Sequence, residues 1–369
     1  MGRFDDARFA LEAATGGTNT LLFDDLGMPS VMVRIPCFRW SDVIEGGEDK
    51  ICSAFIVNGV AKNYIYISKY LNIVEKDRAY SLPGRDPAHT LTIDEARSAC
   101  AQKGPGWHLM SNAEWSAIAH WCRKNGKMPH GNNNYGRDVG AVHEHGTLSP
   151  GNSSAITQEA RTLTGSGPNT WSHDGSSAGI FDLNGNVWDF VSGLRIMDGE
   201  IQIIRDNDSA MNVDESQTST LWRAIDTEGN LVAPGSRNTY KYDGVNEGNS
   251  NQAAVILPGG VMLSTSVSKP EYAGSPTNVD YAYAMMPFQT MKTANGVTPH
   301  ILLKELGLYP ISENLDNEML FIRNYGERTA FRGGSWFDGR TAGLWELYMR
   351  DSRNWIFPDV GFRAAFVYL

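Results

Sequence analysis

After Cys122 the chain has no cysteine, and before it only Cys37, Cys52 and Cys100. None of the four sits in a C-x-x-C pair, and a disulfide scaffold would be shorter and denser in cysteine. Reduced thiols, mostly buried, are the expected state. No stretch approaches the roughly 18 unbroken apolar residues of a bilayer span, so no membrane insertion is expected. Basic residues are outnumbered, 32 against 42, for a formal net charge of −10. Without a basic surplus or stripe there is little to neutralise phosphate, and nucleic acid is not an expected partner. The opening MGRFDDARFALEAATGG carries acids where a signal peptide is basic and then apolar, so no signal peptide is expected. A P-loop and an H-E-x-x-H helix are also missing.

What is present is apolar and turn-forming. Hydrophobic residues make up 41% and charged residues 20% of 369, which excludes a chain disordered throughout. The length sets a prior of about two domains. With 38 Gly, 10 Trp and 14 Tyr, an irregular, turn-rich fold with much aromatic packing is expected.

Residues 1–20 read as a polar, loosely ordered arm. Thr20–Phe23 and Ser30–Pro36, joined by Asp24-Asp25-Leu26-Gly27, read as a β-hairpin, and Ala54–Val57 and Tyr64–Tyr70 as further strands. Two capping boxes, Thr92…Glu95 and Ser111…Glu114, predict helices. In the second, Trp115, Ile118, Ala119 and Cys122 follow the i, i+3, i+4, i+7 spacing of a core stripe. Residues 126–180 read as a long coil packed over the core. Residues 195–325 read as an insertion, with a strand at Ile201–Ile204, a Gly-rich meander over Asn238–Pro276 and a short helix at Pro299–Leu306.

Three segments then share an order: Gly106-Trp107-His108-Leu109-Met110-Ser111; Asn184-Gly185-Asn186-Val187-Trp188-Asp189; and Arg332-Gly333-Gly334-Ser335-Trp336, closed by Gly361-Phe362-Arg363. This order resembles the formylglycine-generating enzyme (sulfatase-modifying factor) superfamily, a subtype of the C-type lectin fold. The resemblance implies an α+β, loop-rich C-type lectin core. Its organisation would be an arm and first strand (1–29), a first part of the core (30–194), the insertion (195–325) and a closing part (326–369). By default Arg332 and Arg363 would be structural, their forks meeting carbonyls or carboxylates.

The family's enzymes use two cysteines in the C-terminal half to bind copper, and this chain has none there. The related sulfoxide synthases need spaced histidines in a separate helical domain. His143 and His145, two apart in a Gly/Asn coil, can share a face and hold a metal, but a solvated loop explains them as well. A degenerate or metal-dependent enzyme of the superfamily is therefore the alternative, and a non-catalytic binding protein is the expectation.

The closing segment also resembles the variable region of diversity-generating retroelement target proteins, in which a constant frame carries scattered, arbitrary side chains. Here the frame is Arg332-Gly333-Gly334, Trp336, Gly339, Ala342-Gly343-Leu344, Leu347 and Gly361–Ala365. Between these stand Phe337, Asp338, Arg340, Thr341, Tyr348, Arg350, Asp351, Arg353, Trp355, Phe357 and Asp359. The set has neither period 2 nor period 3.6, and it mixes aromatics with charges as paratopes do. The resemblance implies ligand-binding residues with accessible side chains, diversified by the retroelement. The plainer alternative is an irregular loop with aromatics tucked under it. Ser30–Pro36, Ile65–Tyr70 and Gly131–Gly136 further resemble tail-associated proteins of prophages. That resemblance implies a virion tail, with assembly in the cytoplasm, and a protein or glycan receptor on a target cell. In the family, the N-G-N-V-W-[ED] turn commonly contributes to a structural Ca²⁺. Asn186, Val187 (through its carbonyl) and Asp189 stand at the matching places, with an ion-free hydrogen-bonded turn as the alternative.

Overall fold

The structure, a computed structural model, describes residues 4–243, 260–267, 283–315 and 317–369. The fold is mixed α+β with more strand than helix, 29% against 17%, and includes a sheet curled into a half barrel.

The expected hairpin forms. Asn19–Phe23 pairs antiparallel with Pro29–Pro36, Leu21 facing Val31. Asp24 Oδ1 closes the turn by accepting from the amides of Leu26 and Met28. Tyr64–Ser68 adds to the hairpin, and Ala364–Phe366 slots between it and Trp107–Leu109. Both ends of the chain are thus held in one five-stranded sheet. The N-terminal arm is more regular than its composition suggests. Asp5–Ala14 is a helix with no buried residue, tied to the first strand by Thr20 Oγ1 donating to Glu12 Oε1.

Both capping boxes are made. Thr92 Oγ1 accepts from the Glu95 amide while the Glu95 carboxylate accepts from the Thr92 amide, opening Ile93–Ala101. Ser111 and Glu114 do the same for Asn112–Lys124. This second helix carries the predicted stripe but is enclosed nearly all round, with even Glu114, Ser116 and His120 buried. From there to Trp188 the chain is coil apart from isolated bridges and one 3-10 turn, Asn169–Trp171.

A second sheet of twelve strands dominates the molecule. At its centre Trp188–Met197 pairs antiparallel with Glu327–Arg332, Phe190 facing Phe331 and Asp189 facing Arg332. The two motif segments, far apart in sequence, therefore meet in one sheet. Residues 195–325 do not pack separately. Glu200–Ile203, Lys241–Asp243 and Met262–Ser264 extend one flank of the sheet, and Met319–Ile322 and Ala284–Pro287 extend the other beyond Leu347–Met349. The first extension is a local hairpin whose turn residues, Asp198 and Gly199, both take positive φ. It covers an edge that the long strand would otherwise expose. Ile201, Tyr240, Leu263 and Leu320 share one apolar core with Trp115 and Ile118. Of the meander expected at 238–276, residues 244–259 and 268–276 lie outside the described residues. The short helix is Ile301–Glu305.

Candidate functional site

The frame residues hold the backbone of the closing segment. Arg363 is fully buried. Its Nε and NH2 donate to Asp189 at 3.0–3.2 Å, and its remaining protons go to the carbonyls of Phe181, Asp182 and Ser68. Arg332 donates to Asn112 Oδ1 and to the carbonyls of Leu306 and Gly307. Both forks are spent on carbonyl or carboxyl oxygens, as a buried guanidinium requires. At Gly334, φ is +80° and a Cβ would collide with the Glu346 carboxylate and Ala342, so only glycine fits.

On this frame the strand register builds an aromatic floor. Leu347–Met349 lies between Met319–Ile322 and Glu327–Arg332, so Tyr348 faces both Phe321 and Phe331. Their ring centroids are each 5.1 Å from Tyr348. Trp188, from the central strand, adds a ring 5.2 Å from Tyr348. Arg350, two residues beyond Tyr348 and hence on the same face, lies 4.3 Å over the ring of Tyr283.

Residues 351–359 leave the floor and return over it. The Tyr348 hydroxyl donates to Asp351 Oδ2 at 2.6 Å, and Asp351 Oδ1 faces Arg323 and Arg350. Trp355 and Phe357 stack at 5.1 Å with their planes 11° apart. Val360–Phe362 then joins Trp188–Met197 in parallel. The result is a cavity of about 260 Å³ bounded by the floor, the returning loop and Phe337.

Eight of the sequence-predicted residues line this cavity: Phe337, Asp338, Tyr348, Arg350, Asp351, Trp355, Phe357 and Asp359. Three do not. Arg340 is exposed and Thr341 half-buried on a 3-10 turn outside the cavity. Arg353 points away, forking onto Glu327 and reaching Asp94 and the Glu215 carbonyl, so it is a strut. The accessibility expected of the set also needs correction. Phe337 and Phe357 are exposed, at 48% and 43%. Tyr348, Arg350 and Trp355 are half-buried, and Asp351 and Asp359 are buried. Asp351 is sunk because it anchors the loop to Tyr348 and two arginines. Asp359 is sunk because its own carbonyl receives the Trp188 amide at the start of the returning strand.

Asp359 Oδ1 is cut off from solvent without a hydrogen-bond partner among the described residues. Burial, and then the nearby charge of Asp338, push its pKa up to about 7. Asp338 itself is satisfied: its Oδ2 accepts from the amide and hydroxyl of Ser335. Sequence reading did not find Trp188, Tyr283, Phe321, Phe331 and Val360 in this cavity. Alternation within strands marks Phe321 and Phe331 as sheet residues, but which strands are neighbours is not written locally.

The other candidate chemistries lie elsewhere. Cys52, Cys100 and Cys122 are buried free thiols, and burial raises Cys100 to about 12. Cys37 is half-buried. His143 and His145 are exposed, while Glu144 between them accepts from His130 and the Trp171 indole.

The residues proposed for calcium do not fit that ion as placed. Asn186 Oδ1 accepts from the Thr162 amide (2.8 Å) and Asn132 (3.2 Å), and its carbonyl accepts from Trp336. Both oxygens of Asp189 serve Arg363. The Val187 side chain packs against Leu71, Ala160 and Trp336. Protein donors thus occupy the side-chain oxygens of Asn186 and Asp189.

No protein-family profile and no curated protein sequence matches this chain.

Proposed function

We propose that the chain is a non-catalytic ligand-binding protein on a C-type lectin fold of the formylglycine-generating type. Its closing segment is diversified by a retroelement, and its ligand is a protein or glycan receptor on a target cell, met from a phage tail. The convergence of eight scattered residues on one cavity carries this reading. The frame between them is spent on the core, through Arg332, Gly334 and Arg363. At exposed Phe337 and Phe357 such a division suits diversification, because a random change at a core position costs about 1–5 kcal/mol. Exposed Phe337 and Phe357 form an apolar rim of the kind that marks interaction sites. Among the described residues, those lining the cavity are aromatic, acidic, one arginine and one valine.

The test is a combined variant, Phe337→Ala, Arg340→Ala, Trp355→Ala and Phe357→Ala, compared with the wild type on an array of glycans and bacterial surface proteins. The expected outcome is an unchanged melting temperature and loss of every ligand the wild type captures. A variant that still captures them overturns the reading. Diversification is tested in the genome, by a reverse-transcriptase gene beside a template copy of the 3′ end that differs at adenines.

A further inference from the structure

We infer that the cavity beneath Trp355 and Phe357 takes a cationic alkylammonium group, either the end of a lysine side chain or a quaternary ammonium. The inference rests on the reading of this face as a binding surface and narrows its ligand.

The volume sets the scale. About 260 Å³ lies below the roughly 300–1,000 Å³ of pockets that hold a whole small ligand. The cavity therefore suits one functional group of a larger ligand, with the rim contacting the rest.

The charges set the sign. Among the described residues that line the cavity, Asp338, Asp351 and Asp359 stand against the single guanidinium of Arg350. Two of the acids are already answered. Asp351 receives the Tyr348 hydroxyl and faces Arg323 and Arg350, and Asp338 receives two donors from Ser335. Arg350 lies over the Tyr283 ring and pairs with Asp351 at 3.5 Å, its Nε enclosed without a hydrogen bond among the described residues, so its charge is offset within the cavity. Arg161 approaches from behind, donating to the Pro358 carbonyl, but its other protons go to Glu159 and Asp86. Asp359 is the acid left over. It is 7% exposed, and its Oδ1 is fully enclosed without a donor among the described residues. A buried polar atom without a partner is costly, so positive charge brought beside it recovers more here than at the surface, by an N–H bond from a primary ammonium or by charge alone from a quaternary one.

The walls favour the same ligand. Aromatic faces carry negative quadrupole density and attract cations, more strongly once desolvated. Arg350 over Tyr283 already shows a ring of this cavity used in that way. An anion would meet three carboxylates, and a neutral group would leave Asp359 unanswered.

At pH 8, where Asp359 is ionised, the experiment titrates the protein, labelled at its tryptophan indoles, with choline and with its neutral isostere 3,3-dimethylbutan-1-ol. A parallel pair is n-butylammonium and 1-butanol. The reporter is the Trp355 indole signal, assigned by its loss in Trp355→Phe. Roughly tenfold tighter binding of at least one cation than of its neutral partner is expected, with the preference abolished in Asp359→Asn. Choline against n-butylammonium tells the quaternary group from the lysine-like amine. Equal binding of cation and isostere by the wild type overturns the inference, as does no binding of either or an undiminished preference in Asp359→Asn. If the array ligands are still lost on rim substitution in that case, only the ammonium inference falls and the binding face stands.

Discussion

The ring of Tyr348 lies flat on that of Phe331, 5.1 Å between centroids and 6° between planes, while its hydroxyl holds Asp351. One side chain thus belongs both to the sheet and to the loop above it. Tyr348→Phe keeps the stack and withdraws a donor from a buried carboxylate that retains two arginines. A loss of about 1–2 kcal/mol is expected. Tyr348→Ala removes the stack as well and is expected to cost about 3 kcal/mol. Phe357→Ala, at the rim, is expected to stay within about 0.5 kcal/mol. Urea denaturation of the three variants checks the order, and a Phe357→Ala loss as large as that of Tyr348→Ala would place Phe357 in the core.

How much of this was legible in the sequence follows the distance over which each feature is encoded. The capping boxes at Thr92 and Ser111 lie within four residues and were readable, as was the hairpin turn at Asp24. The structural role of Arg363 was readable from its chemistry, since a buried guanidinium needs oxygens, but its partner Asp189 is 174 residues away. The aromatic floor was not readable. Phe321, Tyr348 and Phe331 become neighbours only because the strand Leu347–Met349 pairs parallel on one side and antiparallel on the other, a choice made by the whole sheet. The same holds for residues 195–325, whose short strands read as irregular alone and gain their partners from the edges of the central pair. Asp351 and Arg353 looked like variable surface residues because a charge gives no local sign of whether it faces water or a buried counter-charge.

Asn186 separates the ion-free turn from a calcium site. Its φ of +69° suits Asn or Gly, so Asn186→Gly keeps the backbone and removes only the side-chain bonds to Asn132 and Thr162. A destabilisation of about 1–3 kcal/mol is expected, because the amide of Thr162 is buried with no substitute acceptor. The wild type should melt at the same temperature with and without a chelator. A chelator-induced drop of several degrees, reversed by added calcium, would show that these oxygens exchange their protein donors for an ion.

Asp359 gives stability a pH dependence of known sign. Its ordinary value is 3.8, and burial followed by the charge of Asp338 raises the folded value to about 7. Asp351 and Glu159 push in the same direction. Between these two values the unfolded chain releases the proton and the folded chain keeps it. The contribution of this group is therefore fully present below about pH 4 and is lost as pH rises through 7. Asp359→Asn carries no such proton. Its urea midpoint relative to the wild type should climb between pH 5 and pH 8, so parallel profiles would show that Asp359 is ionised throughout.

If the closing segment is a constant frame bearing exchangeable side chains, tolerance to substitution should follow burial and bonding rather than position along the chain. Saturation libraries at single positions, sorted for protease resistance, read this directly. Positions 337, 340 and 357 are expected to accept most residues, because Phe337, Arg340 and Phe357 are exposed. Position 334 should accept only glycine, since its φ is +80° and a Cβ meets Glu346. Position 363 should reject even lysine. A single ammonium cannot reach Asp189 and the carbonyls of Phe181 and Asp182 together, and breaking a buried pair costs about 3–5 kcal/mol. Positions 348 and 351 fall between, with Tyr348 replaceable by other aromatics and Asp351 constrained by the arginines that face it. A library in which 337, 340 and 357 are as restrictive as 363 would mean that the rim is part of the fold, and the closing segment would then be an irregular loop with its aromatics tucked beneath it.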